Sequence, residues 1–243
     1  MRLTVLGCWG AYPEAGEATS GYLLQTGRHT VLLDCGSGVL ANLWKHVSHE
    51  QIDAVFISHF HHDHTADLGC LLYASKFAFA FKKRTQPLPV YASNHPGHFE
   101  ELTFGEYSSG IEIKPDAVLD LDGLKISFAP TVHDAYNLAM KFEYAGKVLV
   151  YTGDLGPASD LSRFEGGADL LITESSLYAH ETGLFQGHLT STEAAALARR
   201  IDAKALLLTH FPHIGETAKL ADEASQYYAG KIYLAKTNLT VEF

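Results

Sequence analysis

The chain has 243 residues, 47% of them hydrophobic and 11% aromatic, with 18 Lys plus Arg against 28 Asp plus Glu and a formal net charge of −10. That apolar content excludes a wholly disordered chain, and the acidic balance excludes non-specific affinity for nucleic acid or an acidic membrane. No apolar run reaches about 18 residues and no signal-peptide pattern is present; the three cysteines, Cys8, Cys35 and Cys70, form no CxxC pair, so the expectation is a cytoplasmic protein with reduced thiols and no membrane partner.

Residues 2–6 form a short apolar strand, and Gly7 and Gly10 open a turn. Residues 21–26 (GYLLQT) and 29–33 (HTVLL) predict a hairpin. Asp34-Cys35-Gly36 ends it, residues 40–49 read as a helix, and 52–58 (IDAVFIS) as a buried strand. A helix over 66–81 follows, although residues 76–83 (KFAFAFKK) alternate like a strand. Then come a strand over 88–92, a short helix over 98–105 and strands near 112–119 and 124–129. The stretches 135–144 and 147–151 pair across a turn at Ala145-Gly146. After these come a buried strand (169–173), a helix (191–200), a strand (205–209), a helix (216–227) and a last strand (231–234). Thr190 or Ser191 can cap the 191–200 helix, with Glu193 in its first turn. Strands then helices in each half, with no linker, predict one domain over residues 1–243 in which two sheets pack together and helices cover the outside. Neither GxGxxG nor GxxxxGK[ST] occurs, so nucleotide-binding folds lack their usual support.

Ser58-His59-Phe60-His61-His62-Asp63-His64 places several metal donors at the end of a strand. In an extended segment His59 and His61 face one side, and a turn at His62 brings Asp63 and His64 to the same centre while His62 points away. His133, Asp154 and His210 also follow strand-like runs, where binding groups gather on a rigid scaffold. These nitrogen and oxygen donors suit zinc, manganese or iron, and seven of them suit two ions sharing a carboxylate.

The HxHxDH segment, with the opening LGCWGAYP and the DCG at Asp34–Gly36, resembles the metallo-β-lactamase superfamily over nearly the whole chain. The resemblance implies an α/β fold, the αββα sandwich of two mixed sheets with helices on both outer faces. It also implies that His59, His61 and His133 hold one metal, that Asp63, His64 and His210 hold the other, and that Asp154 bridges them. Asp34 would orient a ligand histidine by accepting its other ring N–H. The ions would be two divalent metals, zinc first and manganese as the alternative.

His188 stands before the 191–200 helix, where it can meet a phosphate oxygen, protonate a leaving alkoxide, or simply cap the turn. The stretch Gly187-His188-Leu189-Thr190 resembles the GHxT element of the ribonuclease Z-like branch, which implies that His188 handles the scissile phosphate and Glu174 supports it. Ribonuclease Z inserts a long tRNA-gripping arm between the third histidine and the bridging acid. Here 20 residues, 134 to 153, separate His133 from Asp154, so tRNA is not an expected partner. The expected function is a dinuclear metal-dependent hydrolase, a phosphodiesterase acting on small or cyclic phosphodiesters or short nucleic-acid ends. A metal-bridging hydroxide oriented by Asp63 would be the nucleophile. The alternatives are a thioester, lactone or other ester hydrolase of the same fold, and a non-catalytic metal-binding protein. Relatives form dimers, so a homodimer is a further expectation. Tyr73, Phe77, Phe79 and Phe81 read as core, pocket mouth or dimer interface, and Lys82-Lys83-Arg84 as a solvated loop or an anion attractor.

Overall fold

The computed structural model describes residues 1–243. The chain divides into two units, one formed by Met1–Ile113 with Lys236–Glu242 and the other by Lys114–Ala235 with Phe243.

The first unit holds β1 (Arg2–Gly7), β2 (Gly21–Gln25), β3 (Thr30–Leu33), helix α1 (Val39–Leu43), β4 (Ala54–Phe56), α2 (His62–Thr65), α3 (Leu68–Ala80), β5 (Leu88–Ala92) and β6 (Ser108–Glu112). Its sheet runs in the order Thr240–Glu242, β1, β2, β3, β4, β5, β6. The first three pairings are antiparallel and the last three parallel. Strands β3 and β4 are buried on both faces over most of their length, as strands entering a parallel region usually are. Leu6, Leu23, Leu32 and Val55 form a core with Val39 and Leu43 of α1 and Leu68 and Leu71 of α3. Each fully buried leucine contributes roughly 1.5–3 kcal/mol.

The KFAFAFKK stretch is helical as far as Ala80. In α3, Leu68, Leu71, Leu72, Ser75 and Ala78 are buried at helical spacing, which leaves Tyr73 and Phe77 on the exposed stripe. The 40–49 stretch is not one helix. It holds the five-residue α1, and a 3-10 turn, His49–Gln51, begins where Ser48 and Gln51 close a capping box.

The second unit holds β7 (Val118–Leu121), β8 (Leu124–Pro130), β9 (Leu138–Tyr144), β10 (Lys147–Tyr151), β11 (Leu170–Glu174), α4 (Ser191–Ile201), β12 (Ala205–Thr209), α5 (Thr217–Ser225) and β13 (Lys231–Leu234). The sheet order is β7 through β13 without a break. Again three antiparallel pairings precede three parallel ones. Both expected mixed sheets are therefore present, seven strands each, and they share one strand pattern although no sequence repeat connects the halves. The C-terminal strand supplies in the first sheet what β7 supplies in the second. In both, the fourth strand of the pattern, β3 or β10, is where antiparallel pairing gives way to parallel. Asp34 directly follows β3, and Asp154 lies three residues beyond β10. Such switch points are where open sheets place binding loops.

Candidate functional site

In the first unit Asp34 is fully buried and adopts a left-handed backbone, φ 56°. Asp tolerates that region better than most residues, and the turn aims its carboxylate back across β4. Oδ1 accepts the Ser58 backbone N–H at 2.7 Å and Oδ2 accepts the Ser58 hydroxyl at 2.7 Å. His64 Nδ1 also lies 2.7 Å from Oδ2. With its own proton on Asp34, Ser58 Oγ accepts from His59 Nδ1 at 3.1 Å. This network assigns the Nδ1–H tautomer to both histidines and presents Nε2 as the donor atom.

Asp63 is held from the other side by the Ala11 backbone N–H at 2.7 Å, and Ala11 itself adopts φ 59°. Its Oδ2 lies 3.7 Å from His64 Nε2. The His61 ring centre is 4.7 Å from that of His59, and His62 is exposed. Gly36 of the DCG element has a steric reason: a Cβ there would sit 2.0 Å from the Asp63 carbonyl oxygen.

The second unit repeats the arrangement. Glu174 ends β11 with its carboxylate buried. Oε1 accepts the Leu155 backbone N–H at 2.8 Å, and Oε2 accepts the Ser176 hydroxyl and the Leu189 N–H at 3.3 Å. Ser176 Oγ accepts from His210 Nδ1 at 2.8 Å, so His210 also presents Nε2. Like Asp34, His210 follows a strand in a left-handed turn, φ 55°. His133 Nδ1 donates to the Gly187 carbonyl at 2.9 Å. Asp154 Oδ2 lies 3.6 Å from His133 Nε2 and 3.3 Å from His210 Nε2.

His188 Nδ1 meets Glu174 at 3.1 and 3.0 Å. Its ring centre is 5.0 Å from that of His133 and 5.6 Å from that of His210. Burial pulls its pKa down, but the hydrogen bond and charge of Glu174, with Asp154 and Asp134 behind them, push it up to about 9. In the chain alone it is therefore an imidazolium at neutral pH, able to donate a proton from Nε2.

Each residue of the Gly187-His188-Leu189-Thr190 stretch has a defined place. A Cβ on Gly187 would crowd His133 Nδ1 at 3.1 Å. His188 pairs with Glu174, and the Leu189 N–H joins the same carboxylate. Thr190 caps α4, accepting from the Glu193 N–H while the Glu193 carboxylate accepts the Thr190 N–H at 2.9 Å.

The donor set fits divalent metal ions. Zinc bonds of about 2.0–2.1 Å in tetrahedral geometry separate neighbouring ligand atoms by about 3.3–3.4 Å, and the Asp154 pairs lie at 3.3 and 3.6 Å. Four imidazoles have Nδ1 engaged as metal-bound histidines do. The set contains no sulfur. Cys8 is pushed up to about 12 by burial and by Glu17, and Cys35 is raised by burial, so neither is a thiolate at neutral pH. The residues that sequence reasoning missed are Ser58, Ser176 and Ala11. Each acts through a hydroxyl or a backbone N–H that carries no spacing signal.

Buried carboxylates orienting a cluster of imidazoles at strand ends define a metal-dependent hydrolase. The sequence matches the family model described as beta-lactamase superfamily domain over residues 29–211. It is 39% identical over 243 residues, all of both chains, to the probable metallo-hydrolase YhfI of Bacillus subtilis strain 168. It is 28% identical over 88% of each chain to ribonuclease Z of Mycobacterium bovis. The crystal structure of the metallo-β-lactamase fold protein YhfI from Bacillus subtilis superposes with a TM-score of 0.95, covering 99% of this chain and 98% of that one at 38% identity. This chain belongs to the metallo-β-lactamase superfamily.

Proposed function

We propose that the chain is a single-domain phosphodiesterase that works through one dinuclear metal centre. His59, His61 and His133 would hold one divalent ion, Asp63, His64 and His210 the other, and Asp154 both. Asp154 Oδ2 lies 3.6 Å from His133 Nε2 and 3.3 Å from His210 Nε2, which supports its sharing by the two ions. Zinc suits the donors, and manganese accepts the same ones. The two ions supply Lewis acidity and make water a nucleophile at neutral pH.

The protein's own residues do the rest. Asp34 and Glu174 fix the imidazole tautomers, the Asp63 carboxylate orients the attacking water, and His188 Nε2 protonates the leaving oxygen. The observation that carries a phosphodiester over a carboxylic ester is the His188–Glu174 pair, 3.0 Å apart. It holds an imidazole, anchored by a buried carboxylate, beside His133 and His210, where it can meet a phosphoryl oxygen and a departing alkoxide. The similarity to ribonuclease Z supports this reading. The whole connection from His133 to Asp154 is taken up by the β9–β10 hairpin and short flanking loops, which favours a small or cyclic diester, or a short nucleic-acid end, over tRNA.

Hydrolysis of a dialkyl phosphodiester in ¹⁸O-water tests the reaction. Label in the phosphomonoester product is expected; label in the alcohol instead would overturn attack at phosphorus.

A further inference from the structure

Three loops of the second unit bring histidines together: residues 131–137 with His133, 175–189 with His188 and 210–216 with His210. Their convergence is fixed by the Asp154 pairs and by the ring separations among the three histidines. These loops also carry five exposed large apolar side chains: Val132, Tyr136, Leu184, Phe185 and Ile214. Ile214 is 83% exposed and Phe185 57%, and the Phe185 ring centre is 6.4 Å from that of His188. Scattered exposed apolar residues need no explanation, but five on the loops of one site do.

The charges on the same loops point the same way. Residues 131–137, 175–189 and 210–216 contain no Lys or Arg, and besides histidines their charged groups are Asp134, Glu181 and Glu216. Lys219, just beyond, lies over the Tyr178 ring at 5.3 Å and 3.8 Å from Glu223. A polyanion is held by lysines and arginines outside the reacting point. On these three loops the large exposed side chains are apolar and the charges, histidines apart, are acidic.

We propose that the substrate is a phosphodiester monoanion whose esterifying group is apolar and carries no second negative charge, with Val132, Tyr136, Phe185 and Ile214 as its contact surface. The proposal rests on the phosphodiesterase reading above. The single negative charge falls to the ions, and the apolar group leaves water against the loops.

The test is kcat/KM of the zinc-loaded protein for methyl, butyl and hexyl p-nitrophenyl phosphate. Beside them run p-nitrophenyl thymidine 5′-phosphate and its 3′-phosphorylated form. The alkyl series should climb, by up to about fourfold for each methylene fully buried. The added 3′-phosphate should lower kcat/KM. Phe185→Ser with Ile214→Ser should flatten the climb; both sites are exposed, so the fold should tolerate the change. A flat wild-type series, or a preference for the 3′-phosphorylated diester, would overturn the proposal and leave the phosphodiesterase reading standing. No turnover of any diester would remove that reading and the proposal with it.

Discussion

Glu174 reaches His188 and His210 at once, touching His188 Nδ1 directly at 3.0 Å and His210 Nδ1 through the Ser176 hydroxyl. One buried carboxylate thus couples His188 to a candidate metal ligand. In the metal-free protein the His188 pKa, pushed up to about 9, lies above the ordinary histidine value of about 6.5. Its stabilising contribution is then complete below about pH 6.5 and is lost as pH rises through 9. NMR titration of the metal-free protein should show the raised value, and Glu174→Gln should bring it down. An unchanged His188 titration in that variant would contradict the pairing.

His188→Ala should slow turnover while leaving metal content nearly intact. General-acid catalysis is worth roughly 10²–10⁴-fold, and the loss should be greatest with an alkoxide leaving group. p-Nitrophenolate departs without a proton and should show a smaller loss. Equal rates for variant and wild type on an alkyl diester, at metal saturation, would remove the assigned role.

Ser58 and Ser176 occupy equivalent places in the two units, each relaying a buried carboxylate to a histidine Nδ1. Losing such a partner costs roughly 10–100-fold in metal affinity. Ser176→Ala should weaken zinc binding in chelator competition by that order, and Ser176→Thr should restore it. Full affinity in the alanine variant would show the relay to be incidental. Asp154→Ala should do more, lowering the number of ions bound per chain as counted by native mass spectrometry.

The Gly36 and Gly156 positions are closed to any side chain. A Cβ would stand 2.0 Å from the Asp63 carbonyl oxygen in the first case and 1.7 Å from the Gln186 carbonyl oxygen in the second. Gly36→Ala should destabilise the fold by roughly 1–3 kcal/mol, the usual penalty of overpacking. Chemical denaturation measures it.

His49 is buried, with Nε2 2.8 Å from Ser75 Oγ. Burial, and then the charge of Arg84, push its pKa down to about 4. Between about pH 6.5 and 4 the unfolded chain takes up a proton that the native chain refuses. Stability should therefore fall as pH drops through that window. His49→Gln should reduce the slope; an identical slope would assign it to other groups.

The local signals were legible. The β2–β3 hairpin, β5, β10, β12, β13 and the capped α4 declare themselves through alternation, turn residues and the Thr190–Glu193 box. The strand Ser108–Glu112 (SSGIE) has little strand character of its own and exists because β5 offers it a parallel edge. Thr240–Glu242 pairs with β1 across the length of the chain, as Leu3 opposite Val241 shows, and no periodicity reveals such a partner. The helix expected over 66–81 runs from Leu68 to Ala80, and the turn expected at His62 is the short α2, in which Asp63 and His64 are buried. The site divides similarly. Imidazoles and carboxylates at strand ends were readable, whereas Ser58, Ser176 and the Ala11 N–H act through common groups brought in by tertiary structure.

The most direct measurement is hydrolysis of bis(p-nitrophenyl) phosphate by the purified protein, loaded separately with zinc and with manganese, beside Asp63→Ala at equal purity. Metal-dependent release of p-nitrophenolate by the wild-type protein, and its loss in the variant, is the predicted result. Two bound ions per chain with no release would contradict phosphodiester hydrolysis, and equal release by Asp63→Ala would place the chemistry elsewhere.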